Sequence, residues 1–262
     1  MSLQIAFIPL NRGAKFTSAA IREDFAAKWP DLPAPAPQKA GADQVAFDVG
    51  DKNVILQLIR APIPWSDLEG PCATSWLWKE AEKELRPHAG HLIVTLLGEE
   101  NPVLASGLLS RVCASILATC AEAPGVFWSN AEMVIPSKLF QEFTTQILPG
   151  MPPVYIWVDL RVGQNAQGKS SGFTHGMSAL GHMEFETETA SEPPGELRER
   201  FFALCNYVLE HGPVIRDGDT VGEDENERIK VVYSPSAFGQ EGQVMRLEYD
   251  AVAKKKGWFG RR

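Results

Sequence analysis

Residues 163–170, GQNAQGKS, are the first candidate for chemistry in this sequence, because they match the pattern G-x-x-x-x-G-K-[ST]. In phosphate-binding loops of this kind, backbone N–H groups surround the phosphates and the N-terminus of a following helix adds partial positive charge. The apolar alternation of residues 154–162 supplies the strand that must precede such a loop. Residues 171–189, however, contain three glycines and then alternate as a strand, so no helix follows. We therefore predict a polar hairpin tip with Lys169 in solvent, and nucleotide binding through residues 163–170 is the alternative.

A second candidate is a set of four polar side chains near this loop. Alternation predicts that residues 154–162 and 182–188 pair as a hairpin, with Val154, Ile156, Val158, Leu160, Met183 and Phe185 facing inward. Tyr155, Trp157 and Glu186 would then face outward together with the four polar side chains, which are Asp159, Arg161, His182 and Glu184. Such a cluster could perform acid–base chemistry or bind a partner. The alternative is a solvated sheet face with cross-strand charge pairs.

The acidic loop 215–229 has some features of a calcium site. Asp217, Asp219 and Gly222 fit the first, third and sixth positions of an EF-hand loop. Val221 and Arg228 occupy two positions where oxygen ligands are required, so the EF-hand is excluded. We expect an acidic connection between a helix and a strand, and weak divalent binding by residues 217–227 remains open.

No other residue pattern predicts a metal or cofactor site. His88 and His91 form H-x-x-H across a helix-to-strand junction, where we expect loop histidines rather than ligands. The four cysteines form no C-x-x-C pair. The sequence therefore predicts neither a metal nor a cofactor.

Charge and hydropathy restrict the partners. A net charge of −8 argues against nucleic-acid binding, and the basic residues of the segment KKKGWFGRR at 254–262 are expected to be a solvated tail or a weak contact for an anionic surface. The longest apolar segment, residues 102–120, carries Arg111 near its middle, which disfavours a membrane span and favours a buried helix. With no basic, apolar leader at the N-terminus, we expect a cytoplasmic protein. The oligomeric state stays open.

The order of predicted elements indicates an α+β protein. Residues 1–100 give the order β-α-β-β-α-β, a long helix follows at 101–124, and the same order recurs in residues 125–253. This order is typical of ferredoxin-like units. We predict two such units joined by a central buried helix, either with separate sheets or with one fused sheet.

The segments THGMSALGHMEFE at 174–186 and YVLEHGPVIRDGDTVG at 207–222 carry a resemblance. They resemble a bacterial family of domains of unknown function, number 4261, over roughly the last third of the chain, about residues 174–250. The resemblance brings no activity, and it implies a turn into a strand at Gly176-Met177 rather than a phosphate-binding helix. The other matching positions are Gly181, Glu184, Glu186, Asp217, Gly218, Asp219, Thr220 and Gly222.

Two functions are compatible with these observations. The first is a non-catalytic binding or regulatory module that presents a sheet face or the acidic loop to another protein. The second is a hydrolase or transferase that uses the cluster of Asp159, Arg161, His182 and Glu184. A concave pocket at that sheet face would favour the enzyme, whereas a flat face would favour the module.

Overall fold

The computed structural model describes residues 4–39, 41, 43–222 and 227–249. The chain divides into two units, and each contains one sheet. The first unit takes the described residues up to Asp159 together with His175–His182, and the second takes Leu160–Thr174 and the described residues from Met183 onward. The basic segment 254–262 lies outside the described residues.

The first unit is built on a seven-stranded sheet in which every neighbouring pair of strands is antiparallel. Residues 44–59 form a hairpin, and its turn places Gly50 at a φ of +63°. The strand order is β2-β3-β4-β5-β1-β6-β7. The strands are β1 (Gln4–Leu10), β2 (Ala36–Pro37), β3 (Gln44–Val49), β4 (Lys52–Ile59), β5 (Gly90–Leu97), β6 (Gly125–Trp128) and β7 (Met133–Pro136).

Six helices among the described residues complete the first unit, and the predicted long helix is one of them. Asn101 begins it by accepting hydrogen bonds from the N–H groups of Val103 and Leu104. By length and composition this helix could span a membrane, but most of it is buried in the fold, as in the core helix of a globular domain. The helices are α1 (Ser18–Lys28), α2 (Trp65–Thr74), α3 (Ala81–Leu85), α4 (Pro102–Thr119), α5 (Ser137–Glu142) and α6 (Val154–Trp157).

The second unit has a six-stranded sheet and one long helix among its described residues. Its strand order is β11-β12-β13-β10-β9-β8, and β10 runs parallel to β13. The buried face of the helix consists of Leu197, Arg200, Phe201, Leu204, Cys205 and Val208. The elements are β8 (Asp159–Gln164), β9 (Ser170–His175), β10 (Phe185–Ala190), α7 (Pro194–His211), β11 (Thr220–Val221), β12 (Ile229–Pro235) and β13 (Gln243–Glu248).

The α+β class is confirmed, but the ferredoxin-like units are not. In a split β-α-β arrangement, the two strands that the first helix connects flank a third strand. Here β4 and β5 both separate β1 from β3. The predicted boundary at residue 125 also differs from the observed division, because β6 pairs with β1 and β7 pairs with β6. Residues 125–136 therefore complete the first sheet rather than begin the second unit.

We predict that Gly125→Ala destabilises the first unit by about 2 kcal/mol. A Cβ atom there would clash with the carbonyl oxygen of Ile135 and lie 2.7 Å from the Trp78 ring. Gly195→Ala, at the start of α7, is the matched control because a Cβ atom there meets nothing within 4 Å. Urea unfolding measures both variants. Equal midpoints would show that the neighbours of Gly125 absorb the methyl group.

Candidate functional site

The predicted hairpin tip at residues 163–170 is confirmed. The Asn165 side chain accepts hydrogen bonds from the backbone N–H groups of Gln167 and Lys169, both at 3.0 Å, and so shapes the turn. Lys169 is exposed, and β9 begins at the next residue. The strand β9 therefore occupies the position at which a phosphate-binding loop requires the first turn of a helix.

The predicted pairing of residues 154–162 with 182–188 is wrong. Residues Val154–Trp157 form the short helix α6, and β9 lies between β8 and β10 in the sheet. Of the four side chains in the predicted cluster, Asp159 and His182 belong to the first unit. Arg161 and Glu184 belong to the second. The four residues therefore do not share one face of a hairpin.

Several side chains that were predicted to face outward are buried. Glu186 is fully buried, and its carboxylate accepts hydrogen bonds from the Ser236 hydroxyl at 2.7 Å and the Ala237 N–H at 3.0 Å. Glu184 is buried as well and accepts a hydrogen bond from the Thr174 hydroxyl at 2.7 Å. These carboxylates hold the sheet and the segment after β12 together. The same correction applies to Trp157 and Asp159, which are also buried.

The other two members of the predicted cluster are less buried. The Arg161 guanidinium lies 5.7 Å from the centre of the Phe173 ring, a cation–π distance. His182 is half-buried, and burial lowers the pKa of its imidazole. A lowered pKa keeps this side chain neutral at physiological pH. It could still accept a proton, but its own unit contributes only Asp159 from the predicted cluster.

The two histidines of the H-x-x-H pattern are buried rather than exposed in a loop. His88 Nε2 accepts the Ile63 N–H at 2.7 Å, so Nδ1 carries the proton and donates to the Leu85 carbonyl. His91 lies in β5, with Nδ1 2.9 Å from the Ala61 carbonyl. Across the described residues, no group of three or more His, Cys, Asp or Glu side chains could hold a metal ion. Both histidines therefore connect the segment 61–63 to β5 and to the turn that precedes it.

The cysteines are not activated. All four are free and buried. Burial raises the pKa of the Cys72 thiol to about 11, and it also raises the pKa of Cys113, Cys120 and Cys205. A thiolate nucleophile requires the opposite shift.

The first two carboxylates of the acidic loop accept hydrogen bonds from nearby backbone N–H groups. Asp217 accepts the N–H of Tyr233 at 2.9 Å, and Asp219 accepts the N–H of Arg216 at 2.8 Å. Residues 223–226 lie outside the described residues. The two described aspartates therefore stabilise the turn that leads into β11.

The second unit has a cleft between α7 and residues 214–222. Its volume is about 460 Å³, which falls in the range of ligand-binding pockets. Tyr207 and Val214 are 47% and 45% exposed, although both are apolar over most of their surface. Its lining residues are Arg200, Ala203, Leu204, Tyr207, Val214, Ile215, Asp219, Thr220, Val221 and Gly222.

Arg200 is a polar residue in the lining of the cleft, and its side chain is paired with the carboxylates of Glu192 and Glu227. Its guanidinium makes two hydrogen bonds to Glu192, at 2.8 and 2.9 Å, and two to Glu227, at 2.9 and 3.0 Å. The Tyr249 hydroxyl donates to Glu192 at 2.7 Å. Burial disfavours the charged guanidinium, but the hydrogen bond and charge of Glu192 outweigh it and raise the pKa of Arg200. The network therefore fixes the start of α7, the approach to β12 and the end of β13.

Sequence patterns gave only one indication of this site. Arg200 lies at helical spacing from Leu197 and Leu204, on the stripe that α7 buries, and a buried arginine requires carboxylate partners. The partners Glu192 and Glu227 are 35 residues apart in the sequence, and no local pattern connects them.

We predict that stability falls as the pH drops below about 6.5, the ordinary pKa of histidine. Burial lowers the pKa of His91 in the folded chain, so the unfolded chain takes up the proton first and unfolding becomes easier. His91→Gln, which cannot titrate, should unfold at urea midpoints that differ less between pH 7.5 and pH 5.5. An unchanged pH dependence in this variant would assign the effect to other groups.

We predict that Glu192→Gln lowers the free energy of unfolding by about 3 kcal/mol, since it leaves a buried guanidinium with one anionic partner. Glu248→Gln is the control. Its ion pair with Arg246 is solvent-accessible, so the loss should stay below about 1 kcal/mol. Chemical denaturation at constant pH measures both. Similar losses would mean that Glu227 alone satisfies Arg200.

The comparisons with known proteins agree with the resemblance at residues 174–250. Residues 173–248 match the model of a family described as a domain of unknown function (DUF4261). This segment runs from β9 to β13 and contains α7, the cleft and Glu186. No curated protein and no solved structure matches the chain. The family resemblance over the last third of the chain is thereby confirmed, and it carries no activity with it.

Proposed function

We propose that this chain is a non-catalytic binding module, and that the cleft beside α7 receives an extended segment of a partner protein. The observation that carries the proposal is the combination of an apolar cleft with a sheet edge. Thr220 and Val221 line the cleft and also form β11, one of the two edge strands of the second sheet. Edge strands accept extended peptides through backbone hydrogen bonds, and pockets beside them select side chains.

The cleft lining indicates what kind of side chain would bind. Leu204, Ile215 and Val221 provide an apolar floor, and Tyr207 and Val214 form an apolar rim. The Tyr207 ring stacks on His211 with centroids 4.6 Å apart, which stiffens that rim. An aliphatic or aromatic side chain of the partner would bury apolar area against the floor and the rim. Each Å² of apolar surface removed from water contributes about 25 cal/mol of binding free energy.

The charges around the cleft favour a basic residue beside that apolar anchor. Asp217 and Asp219 are exposed, and each uses one carboxylate oxygen for a backbone N–H. Arg200 lies between two carboxylates of its own and adds no net positive charge. With a net charge of −8, the chain as a whole also attracts basic partners. The proposed ligand is therefore an extended segment with an apolar side chain next to lysine or arginine.

The alternative, a hydrolase or transferase, lacks a specific supporting observation. Its predicted residues are divided between the two units, and Glu184 is buried against Thr174. Nucleotide binding through residues 163–170 would need a helix at the position of β9. The binding module is therefore the function that the geometry supports best.

We predict that a displayed library of short random peptides, panned on the full chain, yields sequences with an apolar residue beside Lys or Arg. Val214→Glu should weaken these peptides by about tenfold or more, because a carboxylate enters the apolar rim. Val214 is exposed, so this variant should keep its unfolding midpoint.

Leu104→Glu, on the exposed face of α4 in the first unit, is the matched control and should bind the same peptides normally. Fluorescence anisotropy with labelled peptides measures each affinity. Peptides that bind Val214→Glu as tightly as the unsubstituted chain would contradict the proposal, and so would a selection without enrichment.

A further inference from the structure

The Arg111 side chain lies on the partly exposed face of α4, where the described residues provide no counter-ion for its guanidinium. Arg111 is half-buried, and its Nε atom is shielded from solvent and makes no hydrogen bond. Among the described residues, no ion pair involves Arg111. Its surroundings contrast with those of Arg200, which has four hydrogen bonds to two carboxylates. Burial alone lowers the pKa of Arg111, with no anion to oppose it.

The fold makes room for this side chain at a cost. Gly107, one turn before Arg111, is a glycine inside a helix, which costs about 1 kcal/mol relative to alanine. A Cβ atom at Gly107 would lie 3.2 Å from Arg111 Nη1 and 3.7 Å from Leu148 Cδ1. The absence of a side chain at this position therefore lets the guanidinium lie flat against the helix, beside Leu148.

Exposed or half-buried apolar side chains lie on the same face of α4 as Arg111 and on the segment that follows α5. Leu104, two turns before Arg111 on α4, is 61% exposed. Leu108, between them on the same face, is half-buried. Residues Phe143–Ile147, which follow α5, pack on α4. Ile147 and, four residues later, Met151 are exposed. We call these four residues together with Arg111 the α4 surface.

We infer that the α4 surface is a second binding site, and that it takes an acidic, apolar segment of a partner protein whose carboxylate pairs with Arg111. A carboxylate can accept two parallel hydrogen bonds from a guanidinium, and such pairs are strongest where water is excluded. The leucines, Ile147 and Met151 would supply that exclusion. This site lies in the first unit, and its chemistry is opposite in sign to that of the cleft, so the inference does not depend on the proposed function.

A protein segment fits the α4 surface better than a small molecule does. The surface consists of the outer face of a helix and one neighbouring segment, rather than a closed cavity. Exposed leucine and methionine side chains around a charged centre are typical of protein–protein contacts, in which an apolar ring shields a polar pair from water.

The first experiment asks whether Arg111 stabilises the fold. Arg111→Met keeps the length and the apolar stem but removes the charge, and we expect no decrease in its urea unfolding midpoint, because no hydrogen bond is lost. Arg200→Met is the matched control and should unfold at clearly lower urea, because the buried Glu192 and the half-buried Glu227 lose their partner. If Arg111→Met is as unstable as Arg200→Met, Arg111 is a structural residue and the inference is wrong.

The second experiment measures binding. A displayed library of random peptides is panned on the full chain, and the enriched peptides are sorted by their response to two variants. Peptides of the α4 surface should contain Asp or Glu among apolar residues. They should lose roughly tenfold to a hundredfold in affinity with Arg111→Gln and keep it with Val214→Glu. Leu104→Glu should weaken them too, since it places a like charge beside their carboxylate.

The outcomes are distinct from those of the cleft. Peptides lost only with Val214→Glu belong to the cleft, whatever happens at Arg111. If no enriched peptide depends on Arg111, or if the dependent peptides lack Asp and Glu, the inference is overturned while the cleft proposal stands.

Discussion

The second unit depends on the pairing of one buried arginine with two carboxylates. Glu192 lies just before α7, Glu227 just before β12, and Tyr249 just after β13, so Arg200 connects three segments that are distant in the sequence. Each ion is costly to remove from water unless all its hydrogen bonds are satisfied. Here the guanidinium makes four hydrogen bonds to the two carboxylates, and these bonds help to set the position of α7 relative to residues 214–222. The cleft is the space that this arrangement leaves open.

Local patterns were sufficient where an element depends on its own residues. The hairpin at 163–170 follows from its Gly and Asn residues. The helix α4 follows from a long apolar stretch that begins after Asn101, and α7 follows from apolar residues at helical spacing that end before Gly212. The segment Val154–Trp157 shows the limit of such patterns. Its apolar residues alternate like a strand, yet Val154, Ile156 and Trp157 are all buried in a short helix. In a segment buried on every side, periodicity does not distinguish a strand from a helix.

The candidate site was beyond local patterns, because its members come from distant parts of the chain. Glu186 was placed in solvent by alternation, but the segment containing Ser236 and Ala237 covers it, 50 residues later in the sequence. The resemblance to the family included Glu184 and Glu186, which lie in the matched segment 173–248, but it gave them no role. What each residue contacts is decided by strand order, and strand order is the part of the fold that the sequence did not predict.

The path of the chain between the units has a practical consequence for anyone who shortens this protein. The chain passes from one unit to the other after Asp159, after Thr174 and after His182, so no single cut separates them. A fragment limited to residues 173–248 would lose β8, the first half of β9 and Tyr249. It would expose the hydrogen-bonding edge of β10, and unpaired strand edges associate with one another. The boundaries of the matched segment are therefore not the boundaries of a folding unit, and an expression fragment should keep the elements of both units.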